Sequence, residues 1–159
     1  MYLNHQRATV QKSVGDNLAT ALRVLLANVI SLDARVDNAY YNVTGSQAPS
    51  YTSMFQDLGW TTDCFADPIA RALRYLNEPA PFLLSDVVAL RSIEEPTDVA
   101  TDVVSITKDL LAAFAATIAS VNAALAEAVY QPSISESLVD LLGRIQDWTG
   151  RLAAIVAGE

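Results

Sequence analysis

The sequence predicts an all-α fold: a four-helix bundle with a short helix in the crossover between the second and third long helices. Three observations predict it. Apolar residues recur at gaps of three and four along four long segments, the period of a helix with one buried face. Breakers separate those segments at Asn42-Val43-Thr44-Gly45, Asn77-Glu78-Pro79-Ala80-Pro81, Glu94-Glu95-Pro96 and Gln131-Pro132-Ser133. The chain has 159 residues, the size of one domain that buries a sizeable core without staples. It therefore reads as a single domain over residues 1–159, with residues 1–12 as a short N-terminal extension.

The first helix is predicted from about Ser13 to Asn42, with Leu18, Leu22, Leu25, Leu26, Val29, Leu32, Val36 and Tyr40 on its apolar stripe. Ser13 or Asp16 can cap its start, and Gly45 can take the left-handed geometry of its exit. At about 30 residues it spans roughly 45 Å. The second helix is predicted from Ser50, as its cap, to about Leu76, burying Met54, Phe55, Leu58, Phe65, Ile69, Leu73 and Leu76. Gly59 and Pro68 interrupt it, and Pro68 should kink or strain it. Leu84 to Leu90 is enough for two turns, capped by Ser85 or Asp86, and sits within the crossover. Such a crossover lets consecutive long helices run parallel. The third long helix is predicted from about Asp98 to Val129, with one stripe through Val99, Val103, Ile106, Leu110, Phe114, Ile118, Val121, Leu125 and Val129. Its other face is small: Ala112, Ala116, Ala119, Ala123 and Ala126. The fourth is predicted from about Ser135 to Val156, with Leu138, Leu141, Leu142, Ile145, Trp148, Leu152 and Ile155 inward.

Composition narrows the function classes. Hydrophobic residues make up 52% and charged residues 18%, below the ordinary quarter. Either alanine-rich helices are partly exposed, or outer faces bury against other subunits; the second is the sharper expectation. The net charge of −8 disfavours a nucleic-acid binder, and the N-terminal stretch offers only Arg7 and Lys12 beside His5. One cysteine, Cys64, excludes a disulfide framework or a Cys-based metal site within the chain and fits the cytoplasm. Placed on the second helix beside Phe65, it reads as a buried structural thiol. The stretch Leu110–Val129 is long and apolar but contains Ser120, Asn122 and Glu127, so it reads as a core helix rather than a membrane span. No secretory leader is expected. There is no Gly-rich phosphate loop. His5 is the only histidine, so no Ser-His-Asp or Cys-His set is available. Two methionines, Met1 and Met54, are too few for a haem stack.

Three short stretches carry a family resemblance. Asn38-Ala39-Tyr40-Tyr41-Asn42-Val43-Thr44-Gly45 resembles the signature of the Dps proteins, or miniferritins, which read Ala-His-Trp-Asn-Met-x-Gly there. Asp67-Pro68-Ile69-Ala70-Arg71-Ala72 is similar to the family's Asp-x-x-Ala-Glu-Arg. Ile145-Gln146-Asp147-Trp148 is similar to its aromatic-bearing last helix. The resemblance runs from about Gln11 to Val156 and implies a ferritin-like four-helix bundle. It also implies a hollow cage of twelve subunits that oxidises ferrous iron, stores ferric mineral and protects against stress.

The resemblance places the family's iron site between two subunits. One subunit supplies a His ending the first helix and a His in the second. The partner supplies an Asp and, four residues on, a Glu. Carried over, the two His positions hold Tyr40 and Thr52, the Asp position holds Asp67, and the Glu position holds Arg71. Iron oxidation needs oxygen or nitrogen ligands that tolerate a divalent cation. Tyr40 is a poor neutral substitute for imidazole, and Thr52 is a weak ligand. Arg71 is an obligate cation whose i, i+4 spacing suits an ion pair with Asp67. The expectation is a cage subunit with a degenerate ferroxidase site, not a working enzyme. The alternatives are an active miniferritin with an atypical site, or a bundle outside any cage that binds a partner. No cofactor is assigned, although iron remains possible. Candidate metal ligands are Asp67, Asp63, Asp37 and Tyr40, because Asp33/Asp37 and Asp63/Asp67 each sit four apart. The competing reading is solvated carboxylates, with Tyr40, Tyr41 and Trp60 packing at an interface. Intra-bundle di-iron sites use Glu and Glu-x-x-His motifs, and the chain has none of the latter. Asp98, Asp102 and Asp109 are expected to favour the positive end of the third helix or to line solvent, and Glu94 and Glu95 to be solvated.

Overall fold

The computed structural model describes the backbone of residues 2–158, with side chains from Gly15 onward. Six helices make up the described chain: α1 (Tyr2–Asn42), α2 (Ala48–Asp63), α3 (Ala66–Tyr75), α4 (Leu84–Leu90), α5 (Val103–Glu127) and α6 (Pro132–Ala157). No strand occurs among the described residues. The four bundle positions are α1, α2 with α3, α5 and α6, and α4 lies in the crossover. α1 touches α2, α3, α4 and α5, and α5 packs on α6.

The helix ends follow local chemistry. α1 starts at Tyr2, so Asp16 lies inside the helix and neither it nor Ser13 is a cap. The side chains of His5, Arg7 and Lys12 lie outside the described residues. Gly45, at φ 108°, turns the chain between α1 and α2. The N-cap of α2 is Gln47, not Ser50, because Pro49 falls in the first turn, where its missing N–H is not needed. The expected single second helix is two helices. Pro68 cannot donate to the Cys64 carbonyl and its ring crowds that group, so the break falls at Cys64–Phe65 and Pro68 sits in the first turn of α3. Gly59 does not interrupt α2. α3 exits through Asn77 at φ 62°, with the N–H groups of Asn77 and Glu78 returning to the carbonyls of Arg74 and Leu73.

The crossover runs alongside α1 in the same direction. Glu78 pairs with Arg23 at 2.6 Å, Ser92 bonds Asn28, the Glu94 carbonyl accepts from Arg35, and Thr44 N–H reaches the Thr101 carbonyl at 2.8 Å. The chain is thereby returned to the C-terminal end of α1, where α5 starts and runs back along it. α2/α3 and α5 are both antiparallel to α1, hence parallel to each other, as the crossover predicted. α4 begins after Leu83 with no side-chain cap. α5 begins at Val103, later than Asp98, because the Asp102 side chain accepts the Ser105 N–H at 2.9 Å and caps it. Pro132 opens α6 at its first turn, so that helix begins earlier than Ser135.

The core contains the predicted residues of α1 from Leu18 to Val36, with Phe55, Leu58, Phe65, Ile69, Leu73, Ile106, Leu110, Phe114, Val121 and the α6 stripe Leu138, Leu141, Ile145, Trp148, Leu152. Leu142 and Ile155 of α6 are only half-buried. Val99 and Val129, assigned to the third helix's inner stripe, are exposed, because both lie outside α5. Among the described residues, two helical stretches, Gly15–Asn42 of α1 and Val103–Glu127, are long and apolar enough to cross a membrane by length and composition alone. They pack against each other and bury Asn28, Thr107, Thr117 and Ser120, as core helices do.

Candidate functional site

The residues that could carry chemistry lie on the side of α1 that faces α2. Asp33, Asp37 and Tyr40 project at helical spacing from α1, and Gln56, Gly59, Trp60 and Asp63 project from α2. Together with Tyr41 and Phe55 they line an open groove of about 310 Å³. Phe55 forms its buried floor. Tyr40 is half-buried and stands edge-on to Tyr41, with ring centroids 4.8 Å apart. Tyr41 and Trp60 present 78% and 67% of their surface to solvent, so the single chain leaves most of both aromatics uncovered.

The groove is strongly acidic. Asp33 is the least exposed of its three carboxylates and accepts the Thr62 hydroxyl at 2.5 Å. Burial pushes its pKa above the usual carboxylate value, the Thr62 bond pulls it back, and the negative charges of Asp37 and Asp63 push it up further. Asp33 therefore feels both of the neighbouring carboxylates. They do not converge: no group of three His, Cys, Asp or Glu among the described residues is close enough to hold a metal ion.

Of the sequence candidates, Asp37, Asp63 and Tyr40 come together in this groove, joined by Asp33. Asp67 does not. It lies on α3, beyond the break, and its carboxylate accepts Nε–H of Arg71 at 2.7 Å. The bond and the charge of Asp67 raise the pKa of Arg71 further, so the guanidinium is permanently charged. Both side chains are largely solvated. Thr52 is half-buried on the first turns of α2 and, like Asp67 and Arg71, does not line the groove.

Cys64 corrects an expectation. It is exposed rather than buried, because it stands in the turn that Pro68 imposes, and its Sγ reaches only the Trp60 carbonyl at 3.4 Å. Of the three aspartates assigned to the start of the third helix, only Asp102 caps it. Its pKa is lowered, first by the Ser105 backbone bond.

One polar residue was missed by sequence reasoning. Asn28 is fully buried and donates to the hydroxyls of Ser92, at 2.8 Å, and Ser120. It accepts from the backbone N–H groups of Ser92 at 2.8 Å and Ile93 at 3.4 Å. The signal was present: Asn28 stands on the core-facing stripe between Leu25 and Leu32. Its work is architectural, since it ties the crossover to the bundle.

The chain matches no family model and no curated protein. Solved structures do match it. A DPS protein from Vibrio cholerae O1, described as a member of a broad superfamily of ferritin-like diiron-carboxylate proteins, aligns with TM-score 0.84 and 20% identity over 91% of each chain. Antigen TpF1 from Treponema pallidum aligns with TM-score 0.85 and 18% identity, over 91% of this chain and 94% of its own. A dodecameric thioferritin, the bacterioferritin-related protein of Bacteroides fragilis, aligns with TM-score 0.85 and 13% identity, over 93% and 94%. At these identities the likeness shows a shared fold: the four-helix, ferritin-like fold of the Dps proteins.

Proposed function

We propose that this chain, which has the Dps-like ferritin fold, is a soluble cytoplasmic subunit of a homo-oligomeric ferritin-type cage whose inter-subunit iron-oxidising site is degenerate. The observation that carries the second half is the Asp67–Arg71 pair. A carboxylate at the Arg71 position would help hold a ferrous ion together with Asp67. A guanidinium instead neutralises Asp67 at 2.7 Å and repels a cation. The opposing positions, Tyr40 and Thr52, offer a neutral phenol and an alcohol in place of two imidazoles. Support for the cage comes from coverage of about nine-tenths of known Dps chains and from solvated aromatics on the α1–α2 face. A remaining role is as a shell, through storage, protection or co-assembly with an active relative, and a charge of −8 argues against DNA as its partner.

Two measurements test this. Mass in solution should be on the order of 205 kDa, about twelve copies of the 17.1 kDa chain. A monomer or dimer overturns the cage and favours a partner-binding bundle. Ferrous iron added in air should form ferric product no faster than without protein. A protein-dependent rate that Asp67→Asn abolishes overturns the degenerate site.

One observation favours a second reading, iron oxidation at an atypical site. Asp33, Asp37, Asp63 and Tyr40 share one groove. If ferric formation is protein-dependent, Asp37→Asn with Asp63→Asn should abolish it, and Asp67→Asn should not.

A further inference from the structure

A second cavity lies on another side of α1, under α4. It measures about 360 Å³, within the range of roughly 300–1,000 Å³ of small-molecule sites. Its rim is apolar and open: Leu84, Val88 and Val99 expose 79%, 60% and 63% of their surfaces. Its inner wall is polar. Ser31 and Arg35, one turn apart on α1, line it together with Arg91 at the end of α4.

Two features mark this wall. Among the described residues, the only buried side-chain polar atoms without a hydrogen-bond partner are Ser31 Oγ and Arg35 Nε, and both residues line this cavity, Arg35 also bordering a much smaller one against α5. Ser31 is 6% exposed and the Arg35 side chain 11%. Buried donors of this kind call for an acceptor. The second feature is the charge pattern. The guanidinium groups of Arg35 and Arg91 converge on a single carboxylate, that of Glu95, which is in direct contact with Arg91 and 3.7 Å from Arg35. Arg35 also donates to the Glu94 carbonyl, which fixes its head in place. Glu95 is half exposed and approaches from the solvent side.

We propose that this cavity binds a short aliphatic monocarboxylate. The ligand's carboxylate takes the acceptor role on Arg35, Arg91 and Ser31, displacing Glu95 toward solvent, and its hydrocarbon part lies against Leu84, Val88 and Val99. Glu95 itself demonstrates that one carboxylate reaches both guanidinium groups. The class follows from the surroundings. Asp98 also lines the cavity, so with Glu95 beside it a doubly charged phosphate is repelled more than a single carboxylate. The apolar rim favours an alkyl chain over a bare ion. The site is independent of the groove between α1 and α2 and of any iron chemistry there.

The test is calorimetric titration of the full-length protein, in the assembly it forms in solution, with acetate, butyrate, hexanoate, hexanol and inorganic phosphate. Hexanoate should bind, with affinity rising from acetate through butyrate. Hexanol and phosphate should bind more weakly than hexanoate. Arg91→Gln should weaken hexanoate binding about tenfold, the loss of one charge-assisted hydrogen bond. Glu95→Gln should strengthen it by removing the internal competitor. Circular dichroism checks both variants, and if Arg91→Gln does not fold, Glu95→Gln decides alone. No binding of hexanoate, equal binding of hexanol, phosphate binding as tight as hexanoate, or affinity unchanged by Glu95→Gln would overturn the proposal.

Discussion

α1 carries polar residues on two faces, and the two are built in opposite ways. Toward α5 and the crossover, Asn28 is fully enclosed and every polar group it meets is a donor or acceptor of the right kind. Toward α2, Asp33 and Asp37 face Asp63, and three like charges share one groove with a single hydroxyl, that of Thr62, bonded to Asp33. The first face spends its polarity on architecture. The second leaves its polarity uncommitted and is destabilised by it. Uncommitted, mutually repelling groups next to exposed aromatics are what an interface or a site requires, whereas a satisfied buried amide has nothing left to offer a ligand.

The largest test of this contrast is Asn28→Ala. It removes the acceptor of the Ser92 and Ile93 N–H groups and the donor to the Ser92 and Ser120 hydroxyls, and should lower unfolding free energy by about 2–4 kcal/mol. Urea denaturation reads this as a lower midpoint at unchanged slope. A loss below about 1 kcal/mol would make the two faces energetically alike. Asp102→Ala should come next, since it removes the cap that starts α5 where the crossover ends. Asp102 has a lowered pKa, so its contribution is present above the unfolded value and is lost as pH falls through the folded one. The wild-type advantage should therefore disappear in acid. On the groove side the sign reverses. The folded pKa of Asp33 is raised, so its favourable contribution is complete below the ordinary 3.8 and is lost as pH rises through the folded value. Asp33→Asn should hold or raise the melting temperature at pH 7, and any gain should vanish below that ordinary value. A clear loss at pH 7 would mean that the ionised carboxylate is structurally committed after all. Arg71→Ala should do least. Its ion pair with Asp67 is solvent-exposed, and the melting temperature should be unchanged within error.

Much of the frame was legible because it rests on periodicity. Leu18 through Val36, and Leu138 through Leu152, repeat at helical spacing and are buried as that spacing requires. The short helix at Leu84–Leu90 stood out between its prolines and fell where expected. Boundaries were less legible. Pro68 and Pro132 were both read as interruptions, and both turned out to open a helix, because a proline's missing N–H is harmless in a first turn and harmful four residues later. The Asp67–Arg71 pair was readable from its i, i+4 spacing, which one helix realises by itself. The groove was only half readable. Asp33 and Asp37 share α1, but that Asp63 rather than Asp67 faces them depends on how α2 lies on α1. Asn28 and the wall of Ser31, Arg35 and Arg91 depend on the path of the crossover, which periodicity does not encode.

That path bears on the order in which the molecule assembles. α1 and α2 meet through a short turn, so their pairing closes a small loop. The crossover's contacts with Arg23, Asn28 and Arg35 join residues 55 to 64 positions apart, and forming them restricts far more chain. Loop-closure cost therefore predicts that the hairpin of α1 and α2/α3 forms before the crossover docks on it. Mutations that weaken the Asn28 contacts should slow folding if this docking limits the rate, and otherwise only speed unfolding. The same residue that holds the finished bundle together is then also the gate through which the second half of the chain joins the first.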